Sequence, residues 1–248
     1  MLIGFHDDWK PIEVSIEQFY GIEINDFASV VAKTALWIAE SQMMKETEKL
    51  VEKQLNFLPL KSYANIVEGN ALRIDWETVV PKNELNYIMG NPPFVGYSLQ
   101  SKVQKDDILS IYVDEKGKPY KTAGKIDYVA GWYFKATLLM QNTNIRTAFV
   151  STNSITQGEQ VAGVWKTLYD RFGIHIDFAH RTFRWDSEAT AKAHVHCVIV
   201  GFSIAENRKK RALYSSERFQ LVDNINAYLV EAADVFVESN KKPICDVP

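Results

Sequence analysis

Short apolar runs alternate with longer segments of helical spacing along the first two thirds of this chain. The run QFYGIEI (18–24) is typical of a buried strand, and the segment after it has helical spacing with Asn25 or Asp26 as its N-cap. Three further strand predictions follow: SYANIVEGNAL, NELNYIMG and RTAFVSTNS. Alternating strands and helices indicate a mostly parallel sheet covered by helices, so the sequence predicts an α/β fold.

The last third of the chain departs from this alternation. Two helices are predicted before it, IDYVAGWYFKATLLMQN and GEQVAGVWKTLYDRFG, the second ending at Gly173. The strands IHIDFAHRTF and AHVHCVIVGFS are then joined by WDSEATAK, which is too short for a crossover helix, and this predicts an antiparallel hairpin. We expect one domain over residues 1–203 and a C-terminal extension over 204–248. Residues 95–125, rich in Lys, Asp and Gly, are predicted to form a long functional loop.

Composition excludes several classes of protein. The chain of 248 residues is 46% hydrophobic and 24% charged, and it has no run near the roughly 20 apolar residues of a membrane helix. The chain has two cysteines, Cys197 in an apolar strand-like run and Cys245 near the terminus, which indicates no disulfide framework, so we expect a reducing, cytoplasmic compartment. The net charge of −3 argues against indiscriminate coating of nucleic acid, so any phosphate-binding face must be local.

The tetrapeptide NPPF, Asn91 to Phe94, follows the apolar run of NELNYIMG. Proline has no N–H for a sheet ladder, so Pro92 and Pro93 must end that strand in a rigid kink. Ligands bind at the carboxyl ends of strands in open α/β sheets, which makes NPPF a candidate site. The alternative is a strand-ending Pro-Pro followed by a core Phe.

The ordered set FYGIEI, EGNAL, GNPPF, FVSTNS and the closing hairpin carries a family resemblance over roughly residues 14–202. It resembles the catalytic region of S-adenosylmethionine-dependent amino-methyltransferases that act on DNA adenine. More narrowly, it is similar to the methylase segment of large single-chain restriction-modification enzymes. The resemblance implies an incomplete class I methyltransferase (Rossmann-like) fold. It also implies methyl transfer to N6 of an adenine flipped out of double-stranded DNA.

The resemblance also implies roles for the NPPF residues. The Asn91 side-chain carbonyl and the Pro92 backbone carbonyl would accept the hydrogens of the adenine amine, with Pro93 completing the rigid segment. Phe94 would stack on the flipped base. Phe183 is the favoured candidate for the opposite wall of the base pocket, with Trp185 as the alternative; at least one of the two is expected to cover the sheet edge instead.

For S-adenosylmethionine, the resemblance assigns Glu23 to the two ribose hydroxyls, because a carboxylate accepts two hydrogen bonds at once. Ile24 would pack on the cofactor adenine. Asn70 and Ala71 occupy the position that contacts that adenine, where the family often has Asp in place of Asn70. Asn70 could instead be a turn residue beside Gly69.

Several other features have a plainer interpretation. His180, His194 and His196 are interpreted as sheet residues, and no metal site is predicted. The basic run NRKKRA, with Arg208 and Arg211, is interpreted as a solvated turn. The stretch after NPPF carries better candidates for the DNA backbone. These are Lys102, Lys105, Lys116, Lys118, Lys121 and Lys125.

One departure from the family pattern concerns the glycine-rich turn that usually precedes the strand FYGIEI. The first twenty residues contain Gly4 as their sole glycine. The resemblance therefore implies that the first strand, expected between the strands ending at Glu23 and Asn91, is missing, together with a target-recognition part. We expect the chain alone to be inactive and to bind S-adenosylmethionine poorly. We also expect self-association through the open sheet, with MLIGF as the spare apolar segment nearby.

Two alternatives remain open from sequence. The same motif serves amino-methyltransferases that act on guanine N2 in RNA or on a protein glutamine. From another class, the chain could be a non-catalytic binding module with a methyltransferase-like fold, which the missing glycine-rich turn favours. The sequence specificity of any DNA binding is not predicted, because base readout would lie in the target-recognition part.

Overall fold

The structure is a computed structural model of the chain. It describes residues 13–52, 65–185, 195–205, 209–216 and 218–238. The chain divides into two compact units, Met1–Pro81 and Lys82–Pro248. In the described ranges, every helix is too short or too polar to cross a membrane.

The N-terminal unit contains a parallel pair of strands and one long helix. Strand β1 (Tyr20–Glu23) pairs with β2 (Asn65–Glu68) from Tyr20↔Asn65 to Glu23↔Glu68, so both strands end at the same edge. Helix α1 (Asp26–Val51) begins after Asn25, whose Oδ1 accepts a hydrogen bond from the Ala28 amide at 2.9 Å. The first of the two predicted N-caps is therefore confirmed.

Helix α1 leaves most of its apolar side chains accessible. Ser29 is its one buried residue, whereas Phe27 is 74% exposed and Leu50 is 84% exposed. Tertiary burial of an apolar face supplies most of the stability of a helix in a protein. Few contacts within the described part of this unit therefore stabilise α1.

The C-terminal unit contains the remaining helices and a six-stranded sheet in the order β3-β4-β6-β5-β7-β8. Its strands are β3 (Tyr87–Gly90), β4 (Arg146–Thr152), β5 (His175–Trp185), β6 (Val195–Ser203), β7 (Arg211–Tyr214) and β8 (Phe219–Val222). Its helices are α2 (Lys102–Ile111), α3 (Ala130–Met140), α4 (Gly158–Gln160) and α5 (Thr167–Phe172), with a π-helical segment (Val161–Lys166) between the last two.

Strand directions in this sheet follow from the connections. β3 and β4 are parallel and are joined through α2 and α3, whereas β5 and β6 form the predicted antiparallel hairpin. β6 inserts between β4 and β5 and is antiparallel to both. β5 is parallel to β7, and β7 is antiparallel to β8. The parallel entry strands and the antiparallel hairpin confirm the predicted fold class.

One face of the sheet is covered by helices and forms the core. Tyr133 of α3 is fully buried, and its ring stacks on Phe202 at 5.3 Å and meets Phe149 edge-on at 5.2 Å. Its hydroxyl lies 2.9 Å from Ser151 Oγ on β4. The alternating burial of Thr147, Phe149 and Ser151 along β4 places these three side chains on this face.

The opposite face brings Phe178 of β5 over Gly201 of β6. A Cβ atom on Gly201 would lie 2.0 Å from the Phe178 ring, so only glycine fits there.

Helix α5 ends at a glycine. Gly173 has φ 64° and its amide donates to the Tyr169 carbonyl, which confirms the predicted cap.

Residues 95–125 are not the long loop that we expected from composition. They include helix α2, whose N-cap Ser101 forms a reciprocal capping box with Gln104. Ile108 of α2 and Tyr112 after it are fully buried. The capping-box spacing in SKVQ was the sequence signal for this helix. The many lysines around it favoured the interpretation as a loop.

Strands β7 and β8 extend the sheet beyond Ser203, and the sequence patterns did not predict them. Each has four residues, and such short strands show little periodicity. The domain boundary between 203 and 204 stays a prediction.

Candidate functional site

The NPPF segment lies at the carboxyl end of β3, as predicted. β3 ends at Gly90, which pairs with Phe149, while the parallel strand β4 continues to Thr152. Pro92 is buried, Phe94 is half-buried, and Asn91 and Pro93 are exposed. The segment is thus fixed to the protein through Pro92, while the Asn91 side chain is accessible.

The chain after NPPF is anchored to the residues that precede α3. The Tyr128 amide donates to the Val95 carbonyl at 2.9 Å, and the Tyr97 amide donates to Asp127 Oδ1 at 3.0 Å. Gln100 Nε2 donates to the Ile126 carbonyl at 2.9 Å. Three hydrogen bonds therefore fix residues 95–100 against residues 126–128.

Asp127 also bonds to the turn that follows β4. Ser154 Oγ donates to Asp127 Oδ2 at 2.5 Å, and Thr152 Oγ1 lies 2.7 Å from Ser154 Oγ. The Asp127 amide donates to Gln160 Oε1 at 3.0 Å. Sequence reasoning missed Asp127, because its partners are up to 33 residues away along the chain.

A cavity of about 290 Å³ opens beside this network. It is lined by Tyr97, Lys125, Glu159 and Gln160. Gln160 Nε2 donates to the Lys125 carbonyl at 2.7 Å, so two of the lining residues fix each other.

Phe183 lies on β5 opposite Cys197 of β6, next to a break in the strand register. Its ring meets His180 edge-on at 4.9 Å and lies 6.3 Å from Trp185, which is 47% exposed. A separate cavity of about 360 Å³ is lined by Phe178, His180, Ile199 and Tyr214. The assignment of Phe183 to the base pocket stays a prediction.

In the N-terminal unit, the predicted cofactor residues meet at one strand edge. The Gly69 amide donates to the Glu23 carbonyl at 2.8 Å, and the Asn25 amide donates to Glu23 Oε1 at 3.1 Å. The side chain of Ile24 is 67% exposed. The structure therefore brings Glu23 at the end of β1 beside the turn that follows β2.

Asn70 and Ala71 form part of that turn. Asn70 Oδ1 accepts from the Leu72 amide at 2.9 Å, and the Ala71 carbonyl accepts from Trp76 Nε1 at 2.8 Å. Asn70 thus has the turn role that was the alternative from sequence. An amide oxygen has two lone pairs, so this role is compatible with a further hydrogen bond.

The basic residues considered from sequence fall into two groups. The six lysines of residues 102–125 are all exposed. In the run NRKKRA, by contrast, Lys210 forms an ion pair with Asp223 and Arg211 bonds to Asn224. Arg208 lies outside the described residues.

The histidines and cysteines considered from sequence are the remaining residues to place. His180 Nδ1 lies 2.8 Å from the Arg181 carbonyl, and His196 is exposed. Within the described ranges, no group of three or more His, Cys, Asp and Glu residues has the geometry of a metal site. Cys197 is buried, and burial raises the pKa of its thiol. His194, Cys245 and the segment MLIGF lie outside the described residues.

Comparison with known proteins places this geometry in a family. Residues 4–215 match the sequence model of the MmeI DNA-methyltransferase domain. DNA methyltransferase A of Bacillus subtilis (strain 168) is 42% identical over 238 residues, which are 95% of this chain and 26% of that protein.

A solved structure of the Type IIL restriction-modification enzyme MmeI in complex with DNA has the same fold, with a TM-score of 0.87 and 42% identity. The match covers 96% of this chain and 32% of that chain. The chain spans between about a quarter and a third of the length of these two relatives. It belongs to the MmeI DNA-methyltransferase domain family.

Proposed function

We propose that this chain is the methyl-transfer part of a DNA-modifying enzyme of a restriction-modification system. Its substrate is the exocyclic N6 of an adenine flipped out of double-stranded DNA, and its methyl donor is S-adenosylmethionine. The observation that carries the proposal is the NPPF segment at the end of β3, with Asn91 exposed and Pro92 buried. The DNA complex of MmeI supports the choice of substrate.

The amine of adenine needs help to react, because its lone pair is delocalised into the ring. The Asn91 side-chain oxygen and the Pro92 carbonyl oxygen are hydrogen-bond acceptors. Each can therefore accept a hydrogen bond from one N–H of the amine. Two acceptors orient the nitrogen and increase its electron density. Such positioning is a main source of rate enhancement in enzymes.

Phe94 is the stacking residue in this proposal. A base that is flipped out of the duplex loses its stacking on the adjacent bases. Stacking on an aromatic side chain contributes about 1–3 kcal/mol per base and offsets part of this loss. Phe94 is half-buried, so one part of its ring is fixed by the protein while another part is accessible.

The N-terminal unit supplies residues that fit S-adenosylmethionine. Glu23 ends β1, and its carboxylate has acceptor positions for ribose hydroxyls besides the bond from the Asn25 amide. The exposed side chain of Ile24 offers an apolar surface for an adenine ring. Asn70 and Ala71 follow at the same strand edge. When bound, the donor would supply an electrophilic methyl group on a positively charged sulfur. The amine nitrogen would form the new N–C bond and release one proton to water, while the sulfur would keep the electrons of the S–C bond.

The exposed lysines that follow NPPF are proposed to contact DNA phosphates. Lys102 and Lys105 lie on α2, and α2 begins soon after the anchored segment that follows Phe94. Each phosphate contact adds close to one unit to the salt dependence of binding. DNA affinity should therefore fall with salt, and Lys102→Ala with Lys105→Ala should reduce that dependence.

The chain of 248 residues is proposed to bind S-adenosylmethionine weakly when it is alone. Among the described strands, β1 pairs only with β2, and β3 pairs only with β4. Tyr87 and Met89 of β3 are 67% and 77% exposed. An apolar strand edge of this kind favours association, so we also propose that the isolated chain self-associates. Calorimetric titration tests the weak binding of S-adenosylmethionine, and micromolar affinity would contradict it. Light scattering tests self-association, and a monomer at all concentrations would contradict that.

The activity itself is tested with the natural polypeptide that carries residues 1–248, incubated with methyl-labelled S-adenosylmethionine. Duplex DNA, RNA and total protein are offered separately, and labelled nucleosides or amino acids are identified by mass spectrometry. The proposal predicts N6-methyladenine in DNA. Label on guanine N2 of RNA or on glutamine would contradict it, and DNA binding with no transfer to any substrate would indicate a non-catalytic module.

A further inference from the structure

We infer that Asp127 is a positioning residue that holds the NPPF segment in its reactive geometry. This inference rests on the proposed function of Asn91 and Pro92. The hydrogen bonds of Asp127 go to neither of these two residues; it acts through the chain that follows them. Its carboxylate bonds to the segment after NPPF with one oxygen and to the turn after β4 with the other.

Both partners of the Asp127 carboxylate are hydrogen-bond donors. The Tyr97 amide donates to Oδ1 at 3.0 Å, and the Ser154 hydroxyl donates to Oδ2 at 2.5 Å. A carboxylate satisfies two donors, whereas an amide side chain has one oxygen and one NH₂ group. Asparagine at 127 keeps one acceptor for the Tyr97 amide but presents an NH₂ group to Ser154. Ser154 must then accept instead of donate, and the charge-assisted bonds to the carboxylate are lost.

Burial of Asp127 makes its two hydrogen bonds more important for stability. Asp127 is 6% exposed. Hydrogen bonds to a charged group are about twice as strong as neutral ones, and an unpaired buried carboxylate is costly. The site therefore holds both donors firmly, because moving either of them leaves an acceptor of the buried charge without a partner.

The network connects two strand ends. Thr152, the last residue of β4, lies 2.7 Å from the Ser154 hydroxyl that bonds to Asp127. On the other side, the Tyr128 amide bonds to the Val95 carbonyl at 2.9 Å. The segment after β3 and the turn after β4 are thus joined through residues 127 and 128.

The prolines transmit this constraint to the reacting groups. Pro92 and Pro93 have a fixed φ, so the chain between Asn91 and Val95 has few free dihedrals. A shift of Val95, which the Tyr128 amide anchors, is therefore passed on to Asn91 and Phe94 more fully than in a chain without prolines. A displacement of about 1 Å of a reacting group can lower rates by up to roughly 100-fold.

The test uses Asp127→Asn and Ser154→Ala in the natural polypeptide that carries residues 1–248. We expect kcat for methyl transfer to fall by about 10- to 100-fold in Asp127→Asn and less in Ser154→Ala. KM for S-adenosylmethionine should stay within about twofold of the parent value, because its proposed ligands lie at β1 and β2. Amide hydrogen exchange over residues 95–99 should be faster in both variants.

Asn226→Ala is the matched control. Asn226 is also buried, at 5% exposure, and its Oδ1 accepts the Tyr228 and Val230 amides in the segment after β8. Its substitution should lower the thermal midpoint about as much as Asp127→Asn but leave kcat nearly unchanged. Ser154→Ala keeps the test decisive if Asp127→Asn does not fold.

Three results separate the explanations. Parental kcat in a folded Asp127→Asn or in Ser154→Ala would overturn the inference. Equal losses of kcat in Asn226→Ala and Asp127→Asn would also overturn it, because they would indicate a general effect of stability. Parental turnover in Asn91→Ala would contradict the proposed function. The contact of Asp127 with residues 95–99 is tested separately, since amide exchange there should be slower in the parent than in Asp127→Asn.

Discussion

The backbone amide of Gly69 lies 2.8 Å from the carbonyl oxygen of Glu23, and this hydrogen bond joins the ends of β1 and β2. Gly69 has φ 151°, which side-chain-bearing residues rarely adopt. A Cβ atom on Gly69 would lie 2.5 Å from Ile74 Cδ1. The position of the turn relative to Glu23 therefore depends on glycine.

Gly69→Ala is expected to weaken binding of S-adenosylmethionine by at least about tenfold and to destabilise the N-terminal unit by roughly 1–3 kcal/mol. Calorimetric titration and thermal unfolding of the natural polypeptide measure the two effects. Gly21→Ala is the control, since its Cβ would make only ordinary contact with Ile66, at 3.4 Å. Equal affinities for Gly69→Ala and Gly21→Ala would contradict the role of the turn.

Phe94→Ala should reduce both turnover and the population of flipped base, whereas Phe94→Tyr should keep both, because stacking requires an aromatic face. Losing about 1–3 kcal/mol of stacking corresponds to a 5- to 150-fold change in the flipping equilibrium. A fluorescent adenine analogue at the target position reports the flipped state. If the Ala and Tyr variants gave the same fluorescence as the parent, Phe94 would serve packing alone.

Stability of the C-terminal unit should fall at alkaline pH because of two buried tyrosines. Tyr112 and Tyr133 are fully buried, and burial raises the pKa of both above the ordinary value of 10.0. Above about pH 10 the unfolded chain loses these protons while the folded chain keeps them, so the free energy of unfolding decreases. Below that pH the contribution of the two tyrosines is constant.

Urea unfolding between about pH 8 and 11 measures this effect. Tyr133→Phe should reduce the pH dependence above about pH 10 but not abolish it, because Tyr112 remains. The same change should lower stability at neutral pH by about 1 kcal/mol through loss of the bond to Ser151. A urea midpoint that did not change over this pH range would contradict the prediction.

Local signals in the sequence were enough for much of this fold. Asn25 ends an apolar run and precedes helical spacing, and it caps α1 as predicted. The two prolines after Gly90 end β3 for a covalent reason, the missing N–H, which no tertiary contact can change. The hairpin of β5 and β6 followed from the length of its connection.

The features that sequence reasoning missed depend on distant partners or on weak periodicity. The capping box of Ser101 and Gln104 was visible but was outweighed by the polar composition around it. Asp127 bonds to Tyr97 and Ser154, which lie on other segments, and the sequence next to Asp127 contains no pattern that predicts these contacts. The family resemblance suggested the roles of Glu23 and Asn91; it did not suggest how the chain holds them.

The central claim is that the side chain of Asn91 activates the amine of a flipped adenine. Single-turnover methyl transfer to duplex DNA by Asn91→Ala tests it most directly, with S-adenosylmethionine affinity measured in parallel. Asn86→Ala, an exposed asparagine just before β3, is the control. We expect Asn91→Ala to lose at least about 100-fold in rate with nearly unchanged donor affinity, and Asn86→Ala to match the parent. Parental rates in Asn91→Ala would contradict the account.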